Sequence, residues 1–465
     1  MNPELRREWA YVILAFAVTG GVLAGLGLVA GPAALYLLFP PAVLLAYAAR
    51  AGAAPTRRAL FDGVILGAAA LFVARGVGVI LLNIRLIEEW DFQAFWVWGR
   101  AAAMGLNPYL PESVAQASAA SGMEPSKLFV DQVLAAGFPY PPPTMLLLRP
   151  FAGFDQQTGV VLWYLFHGAL LVLGIRLLWK LVLPDSGLVG LALTTALLVG
   201  MRSTQTTLHL AQTHFIILTA ILLYCRSRER FGGGVWLAVG MATKPWVALL
   251  LLLQLVRRRW RVIAGAVAGT VAFLGAAALA FGPGMVKSYL TLPAVARMPT
   301  RYFSSVVNQS LLATILRVSA EKQSIHLDPR ESPTALLLFA LIGGALILAT
   351  VWLMHRLGPG RDDLAICLNV TLGLLLYPGT LYHYSMMLLA PLFWVWARRD
   401  ELRLPTAVAT AIVTVPFVLV GSSHAQYVFV AIAFSWLAFA TIAWRVVRAA
   451  AVAPGDPTGA VPRPA

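Results

Sequence analysis

Asp91 is the residue of this chain best placed for aqueous chemistry. It sits in Glu88-Glu89-Trp90-Asp91-Phe92, just past a long apolar run, and is followed by Phe92, Phe95, Trp96 and Trp98. A carboxylate at the mouth of a membrane-length apolar segment can take a proton from a polar acceptor while a lipid-linked molecule lies along the bilayer beside it. The structural alternative is a helix N-cap, because Asp is a favoured cap and an apolar helix follows. Glu88 and Glu89 do not imply paired acid/base work, since acids are common at an interface.

Other polar residues could serve the same place. Arg202 offers a planar fork for phosphate and Lys244 a point charge. Arg202 could equally touch lipid headgroups, whereas Lys244 is poorly placed to snorkel. His209, Gln212 and His214 lie in Leu208-His209-Leu210-Ala211-Gln212-Thr213-His214. Histidines five apart do not share a helix face, and no carboxylate or cysteine adjoins them, so sugar or phosphate binding is favoured over a metal. His383 stands among Tyr377, Tyr382 and Tyr384, which suits a sugar through ring faces and hydroxyls, or an interfacial aromatic belt. Asn308-Gln309-Ser310 is formally a glycosylation sequon, and a buried amide pair bonding a ligand is the preferred reading. The Pro139–Pro143 run is stiff and can simply hold its loop down. No acidic cluster suggests a divalent ion, so neither metal nor cofactor is expected.

The elements that must position these residues follow from composition. The chain has 465 residues, 59% hydrophobic and only 12% charged, where a soluble domain carries about 25% charged residues. It reads as an all-α polytopic membrane protein. The net charge of +15 comes from arginines gathered in short loops, so nucleic acid is excluded as a partner. The two cysteines, Cys225 and Cys367, adjoin apolar segments and make no disulfide framework. The N-terminal apolar run is too long for a signal peptide and is read as a retained first helix. The Ala/Gly/Arg-rich composition suggests a GC-rich bacterial source.

Apolar segments lie near 9–30, 33–49, 59–82, 157–182, 186–202, 206–225, 232–256, 261–282, 334–356, 363–378, 380–397, 404–421 and 424–447. Arginine clusters after residues 49, 225, 256, 355, 397 and 444 mark the cytoplasmic side. The segment 232–256 has basic clusters at both ends and Lys244-Pro245 in its middle. It is therefore predicted to be a re-entrant hairpin with Lys244 near its tip, because proline breaks the helix there. About twelve crossings remain, with both termini cytoplasmic. Residues 1–450 form one membrane domain and 451–465 a disordered cytoplasmic tail. Long loops at 83–156 and 284–333 fall on the outer face; the first is expected to hold an amphipathic helix from Phe92 to about Met104.

Taken in order, these pieces resemble glycosyltransferase family 87. The resemblance is carried by Asp91-Phe92, Phe95-Trp96, Gly99-Arg100, Gly105 and Asn107-Pro108-Tyr109, then by Phe138, Tyr140-Pro141-Pro142 and Pro150. Gln212, Lys244-Pro245 with Arg257-Arg258-Arg259-Trp260, Asn308-Gln309-Ser310 and His383-Tyr384 continue it as far as Pro391. His214 departs from the pattern, since the family often has asparagine there. The resemblance implies a GT-C fold and an inverting transfer outside the cytoplasm from a polyprenyl-phosphate sugar, with mannose the family-weighted choice and arabinofuranose the alternative. It further implies that Asp91 is the base and that His383 is a second catalytic residue, binding donor phosphate or aiding proton transfer. Lys244, Arg202, His209, Gln212, His214, Asn308, Gln309 and Tyr382 would hold donor phosphate or sugar. The acceptor would be a lipid or glycan hydroxyl. A lipid-linked sugar flippase is the rival class, because broken helices with midplane polar residues also mark transporters; no inverted repeat supports it.

Overall fold

The computed structural model describes residues 3–29, 31–86, 91–122, 138–291, 303, 305–319, 329–421 and 426–452. Glu88, Glu89, Trp90 and all but two residues of the expected tail lie outside them. The described chain is helical. In order it forms α1 (Pro3–Val29), α2 (Gly31–Arg50), α3 (Pro55–Arg85), α4 (Asp91–Ala103), α5 (Pro111–Ala120), α6 (Pro143–Ala152), α7 (Gln156–Val182), α8 (Gly187–Gly200), α9 (Arg202–His209) and α10 (His214–Arg226). Then follow α11 (Phe231–Thr243), the 3-10 helix Pro245–Leu250, α12 (Leu251–Val256), α13 (Trp260–Phe281), α14 (Pro283–Thr291), α15 (Leu311–Ser319), α16 (Pro333–Leu357) and α17 (Asp362–Leu376). The 3-10 helix Tyr382–Leu388, α18 (Leu389–Ala397), α19 (Thr406–Gly421) and α20 (Tyr427–Val452) complete it.

Among the described residues, six helices are long and apolar enough to cross a membrane, and the pair α8–α9, bent by 64°, would make a seventh span. Five shorter apolar helices accompany them, including Ala34–Arg50 and His214–Arg226. The chain is an all-α polytopic membrane protein. The break expected between the apolar segments 186–202 and 206–225 is instead the short helix α9, and the turn comes after His209. The polar stretch Ser203-Thr204-Gln205-Thr206-Thr207 is buried within that helix, where Gln205 Nε2 donates to the Val199 carbonyl at 2.6 Å and Thr207 Oγ1 to the Ser203 carbonyl at 2.8 Å.

Among the described residues, buried hydrophobic side chains form two clusters. The larger fills the helical bundle, where Phe39 and Phe72 pack 4.4 Å apart. The smaller is aromatic and surrounds α4, joining Phe92, Phe95, Trp98, Tyr109, Phe138, Tyr140 and Trp163. The described part of the first loop is thus folded, and α4 is apolar on nearly every side because protein covers nearly every side. α4 crosses α6 at Gly99, where an added Cβ would lie 2.7 Å from Ala152 Cβ and 3.1 Å from the Leu148 carbonyl oxygen. Gly99→Val is therefore expected to destabilise the protein by about 1–3 kcal/mol through overpacking. Thermal unfolding in detergent should show a lowered Tm for it and none for Gly344→Val, whose added Cβ meets nothing within 4 Å.

The arginine-rich loops meet on one face. Asp362, at the start of α17, is buried; it accepts from Arg257 Nε at 2.8 Å and from Arg259 Nη2. Arg259 also reaches Glu229 at 2.9 Å, and Arg228 pairs with Asp363. The connections before α11 and after α12 are therefore stapled together, although the chain between them runs away and back. Lys244 lies between the two limbs, in an extended conformation (φ −143°, ψ 116°) that interrupts the helix just before Pro245.

Candidate functional site

Three helix breaks and one helix start converge at the end of the bundle away from the arginine face. Each break frees backbone groups that must find partners. At the first, the turn after α9, the Leu208 carbonyl accepts from Tyr164 Oη at 2.9 Å, Asn83 Nδ2 donates to the carbonyls of Leu208 and His209, and Trp163 Nε1 donates to Ala211 at 2.8 Å. Ala211 takes φ +53°, a left-handed conformation costing an alanine about 1–2 kcal/mol. That turn aims Gln212 at Asp91.

Gln212 fixes the carboxylate. Its Nε2 donates to Asp91 Oδ2, and its Oε1 accepts from Tyr140 Oη at 3.3 Å. Tyr140 is held in turn, since its carbonyl accepts from Tyr109 Oη at 2.6 Å and its ring packs edge-on to Phe95. The proline run thus does more than hold a loop: it delivers Tyr140, and Pro143 starts α6, whose Thr144 Oγ1 donates at 2.8 Å to the Ala242 carbonyl at the broken end of α11.

At the second break, Lys244 Nζ lies 3.9 Å from the centroid of the Tyr140 ring and 5.0 Å from that of Tyr384. Two electron-rich faces hold the buried ammonium. At the third, the segment after α17 carries His383 and Tyr384. His383 and His214 meet edge to face with centroids 4.7 Å apart, and Tyr384 lies 4.3 Å from His214. Both histidines are buried and none of their four ring nitrogens has a hydrogen-bond partner. Buried polar atoms left this way are costly, which marks the pair as a place suited to a polar ligand.

Asp91 itself is half-buried at the start of α4. Desolvation by the protein packed around it raises its pKa from the ordinary aspartate value; the Gln212 hydrogen bond and the Lys244 charge oppose that rise without cancelling it. A base with a raised pKa drives proton removal harder than an ordinary carboxylate.

The remaining candidates are placed differently. Arg202 Nη1 donates at 3.0 Å to the Gly421 carbonyl, where a cation suits the C-terminus of α19. His209 is half-buried, with its carbonyl held by Asn83. Asn308 Nδ2 donates to the Pro378 carbonyl at 2.7 Å, and Gln309 Oε1 accepts from Phe429 N at 2.9 Å while its Nε2 donates to Val306. The structure thus gives both amides backbone partners, so they brace the segment bearing His383 and a ligand would have to displace those bonds. Tyr382 joins the same brace through its N–H to Val307 at 3.0 Å, with its ring 5.6 Å from His383. Sequence reasoning missed Asn83 and undervalued Tyr140; a lone Asn at the end of an apolar run was the available signal for the first. Among the described residues no three His, Cys, Asp or Glu side chains gather as a metal site.

The sequence model of glycosyltransferase family 87 matches residues 138–378, more than half of the chain. The chain belongs to glycosyltransferase family 87. No curated protein and no solved structure matches it. A family 87 chain with this architecture is a membrane glycosyltransferase, and its substrates are a sugar donor and an acceptor. The matched range contains Tyr140, Gln212, His214 and Lys244; Asp91 and His383 fall outside it. They are joined to it by the Gln212 hydrogen bond and by the His214 ring contact. Replacing Lys244 with methionine, which keeps the stem and removes the charge, is expected to lower this glycosyltransferase's turnover by about 10²–10³-fold, as for loss of one group that stabilises developing negative charge. Steady-state kinetics should show the loss chiefly in kcat.

Proposed function

We propose that this family 87 enzyme moves a sugar, mannose in the first instance, from a polyprenyl-phosphate donor to a hydroxyl of a lipid or glycan acceptor, with inversion. The observation that carries the reading is the placement of one enclosed carboxylate, Asp91, beside a buried cation, Lys244, at the tip of a broken helix. Asp91 removes the acceptor proton, and the oxygen attacks the anomeric carbon from the side opposite the phosphate. Inversion needs one base on the acceptor side. The bond from the anomeric carbon to the phosphate oxygen breaks, and Lys244 with the His214–His383 pair receives the departing phosphate monoester. Gln212 and Tyr140 orient the base. Arg202, His209, Asn308, Gln309 and Tyr382 complete the donor region as a supporting layer.

On this reading the fold is of GT-C type with about twelve crossings, the 231–256 segment enters and leaves from the cytoplasm, and the arginine face is cytoplasmic by the positive-inside rule. Both termini are then cytoplasmic and the site opens on the outer face of a bacterial plasma membrane. Folded aromatic packing around a base favours bond-making over flipping.

The test is a transfer assay on the purified protein in lipid, with a membrane-glycolipid extract as acceptor. Polyprenyl-phosphate mannose should yield a mannosylated lipid and GDP-mannose none. Product from the nucleotide sugar alone would refute the donor assignment, and product from polyprenyl-phosphate arabinofuranose alone would move the enzyme to the pentose branch.

A further inference from the structure

Between α7, α10, α17 and α18, near the arginine face, lies a cavity of about 540 Å³ that the catalytic groups do not use. Its size falls within the roughly 300–1,000 Å³ of small-molecule sites. The walls are apolar, with Leu178, Leu222, Ile366, Val370, Met387 and Trp394 among them. The rim is ionic: Arg226, Arg228, Arg230, Glu229 and Asp363. Both rim acids are already matched, Asp363 by Arg228 and Glu229 by Arg259. Arg226 and Arg230 are exposed and make no ion pair among the described residues, so two guanidinium groups stand uncommitted at the mouth of an apolar cleft.

We propose that this cavity is a binding site for an anionic glycerophospholipid, with one acyl chain against Leu222, Val370 and Trp394 and the headgroup phosphate at Arg226 and Arg230. Such a ligand is apolar at one end and anionic at the other, as the cleft demands. A zwitterionic lipid would bring its own ammonium to the arginines. The sugar donor fits less well: its phosphate belongs with Lys244 at the far end of the hairpin, and its hydrocarbon tail offers the arginines nothing. Met387, Ala390 and Pro391 line the cavity on the segment that carries His383, so the bound lipid buttresses the catalytic segment from behind.

Trp394 reports on occupancy. Full-length protein in mixed micelles is titrated with phosphatidylglycerol or phosphatidylcholine brominated on the acyl chain, and the Trp394 contribution is taken as the difference between wild type and Trp394→Phe. Several-fold stronger quenching by the glycerol lipid is expected, with the preference lost in the Arg226→Gln/Arg230→Gln double variant. Equal quenching by the two lipids, or a preference that survives in the double variant, overturns the proposal. So does displacement of the brominated lipid by polyprenyl phosphate, which would give the cavity to the donor tail. In a Cys367→Ala background, maleimide labelling of Cys225, which lines the same cavity, is expected to slow with the anionic lipid only; unchanged labelling overturns it independently. Neither measurement needs sugar transfer, so their failure leaves the enzymatic reading untouched.

Discussion

Asp91→Asn is expected to lower sugar transfer by about 10²–10⁴-fold, the usual contribution of a positioned general base. The protein should fold as well as wild type or better. Burial raises the Asp91 pKa from its ordinary value. A carboxyl whose folded pKa is raised stabilises the folded state only while protonated; that contribution is lost as pH rises through the folded value, so at neutral pH the ionised group is a net cost. Asparagine removes the charge, keeps the shape and still offers Gln212 Nε2 an acceptor. The paired readout is transfer rate and Tm on the same preparation. Lost transfer with a retained Tm places the base; retained transfer leaves Asp91 as a helix-start residue and ends the mechanism. In wild type the same shift displaces the acid limb of kcat/KM upward from the range of an exposed carboxylate, because the base works only when ionised. A limb in the ordinary carboxylate range would show that the enclosure of Asp91 does not act on the reaction.

Asp362→Ala, at the opposite end of the bundle, should have the largest effect on stability. Its side chain is 1% exposed and is the shared partner of Arg257 and Arg259, themselves 7% and 13% exposed. Removing it leaves the enclosed Arg257 guanidinium without a carboxylate and Arg259 with only the exposed Glu229, a change worth about 3–5 kcal/mol. The neighbouring Asp363, 37% exposed and paired with Arg228, is a surface pair worth about 0–1 kcal/mol. Thermal unfolding of the two alanine variants should separate them clearly, and similar Tm values would refute the staple. The Asp362 variant should lose transfer as well, since the staple closes the chain that carries Lys244 to the site; Asp362→Asn is a milder replacement through which to read that loss.

Much of the architecture is legible in the sequence because lipid imposes a simple code. Apolar runs become helices, arginine clusters gather at one face, and a Lys-Pro pair inside an apolar run breaks a helix. Asp91 is legible for the same reason, as a charge where charge is expensive. The code fails where polar residues have two uses. Asn308 and Gln309 read as ligand-binding amides, yet their hydrogen bonds go to Pro378, Val306 and Phe429, because unpaired backbone after α17, before α15 and at the start of α20 needs partners first. Arg202 reads as a phosphate fork, yet it donates to the Gly421 carbonyl at the end of α19.

The sequence by itself determined the solvent of this protein, its helices and the few residues able to act as acid, base or cation, since burial in lipid penalises every other choice. Only the tertiary structure decided which of these meet. Asp91, Tyr140, Gln212 with His214, Lys244 and His383 come from five separate stretches of chain, and no local pattern encodes their distances. They are brought together by three helix breaks whose orphaned backbone groups find partners in distant elements, and by buried arginine–aspartate pairs that close the far end of the bundle.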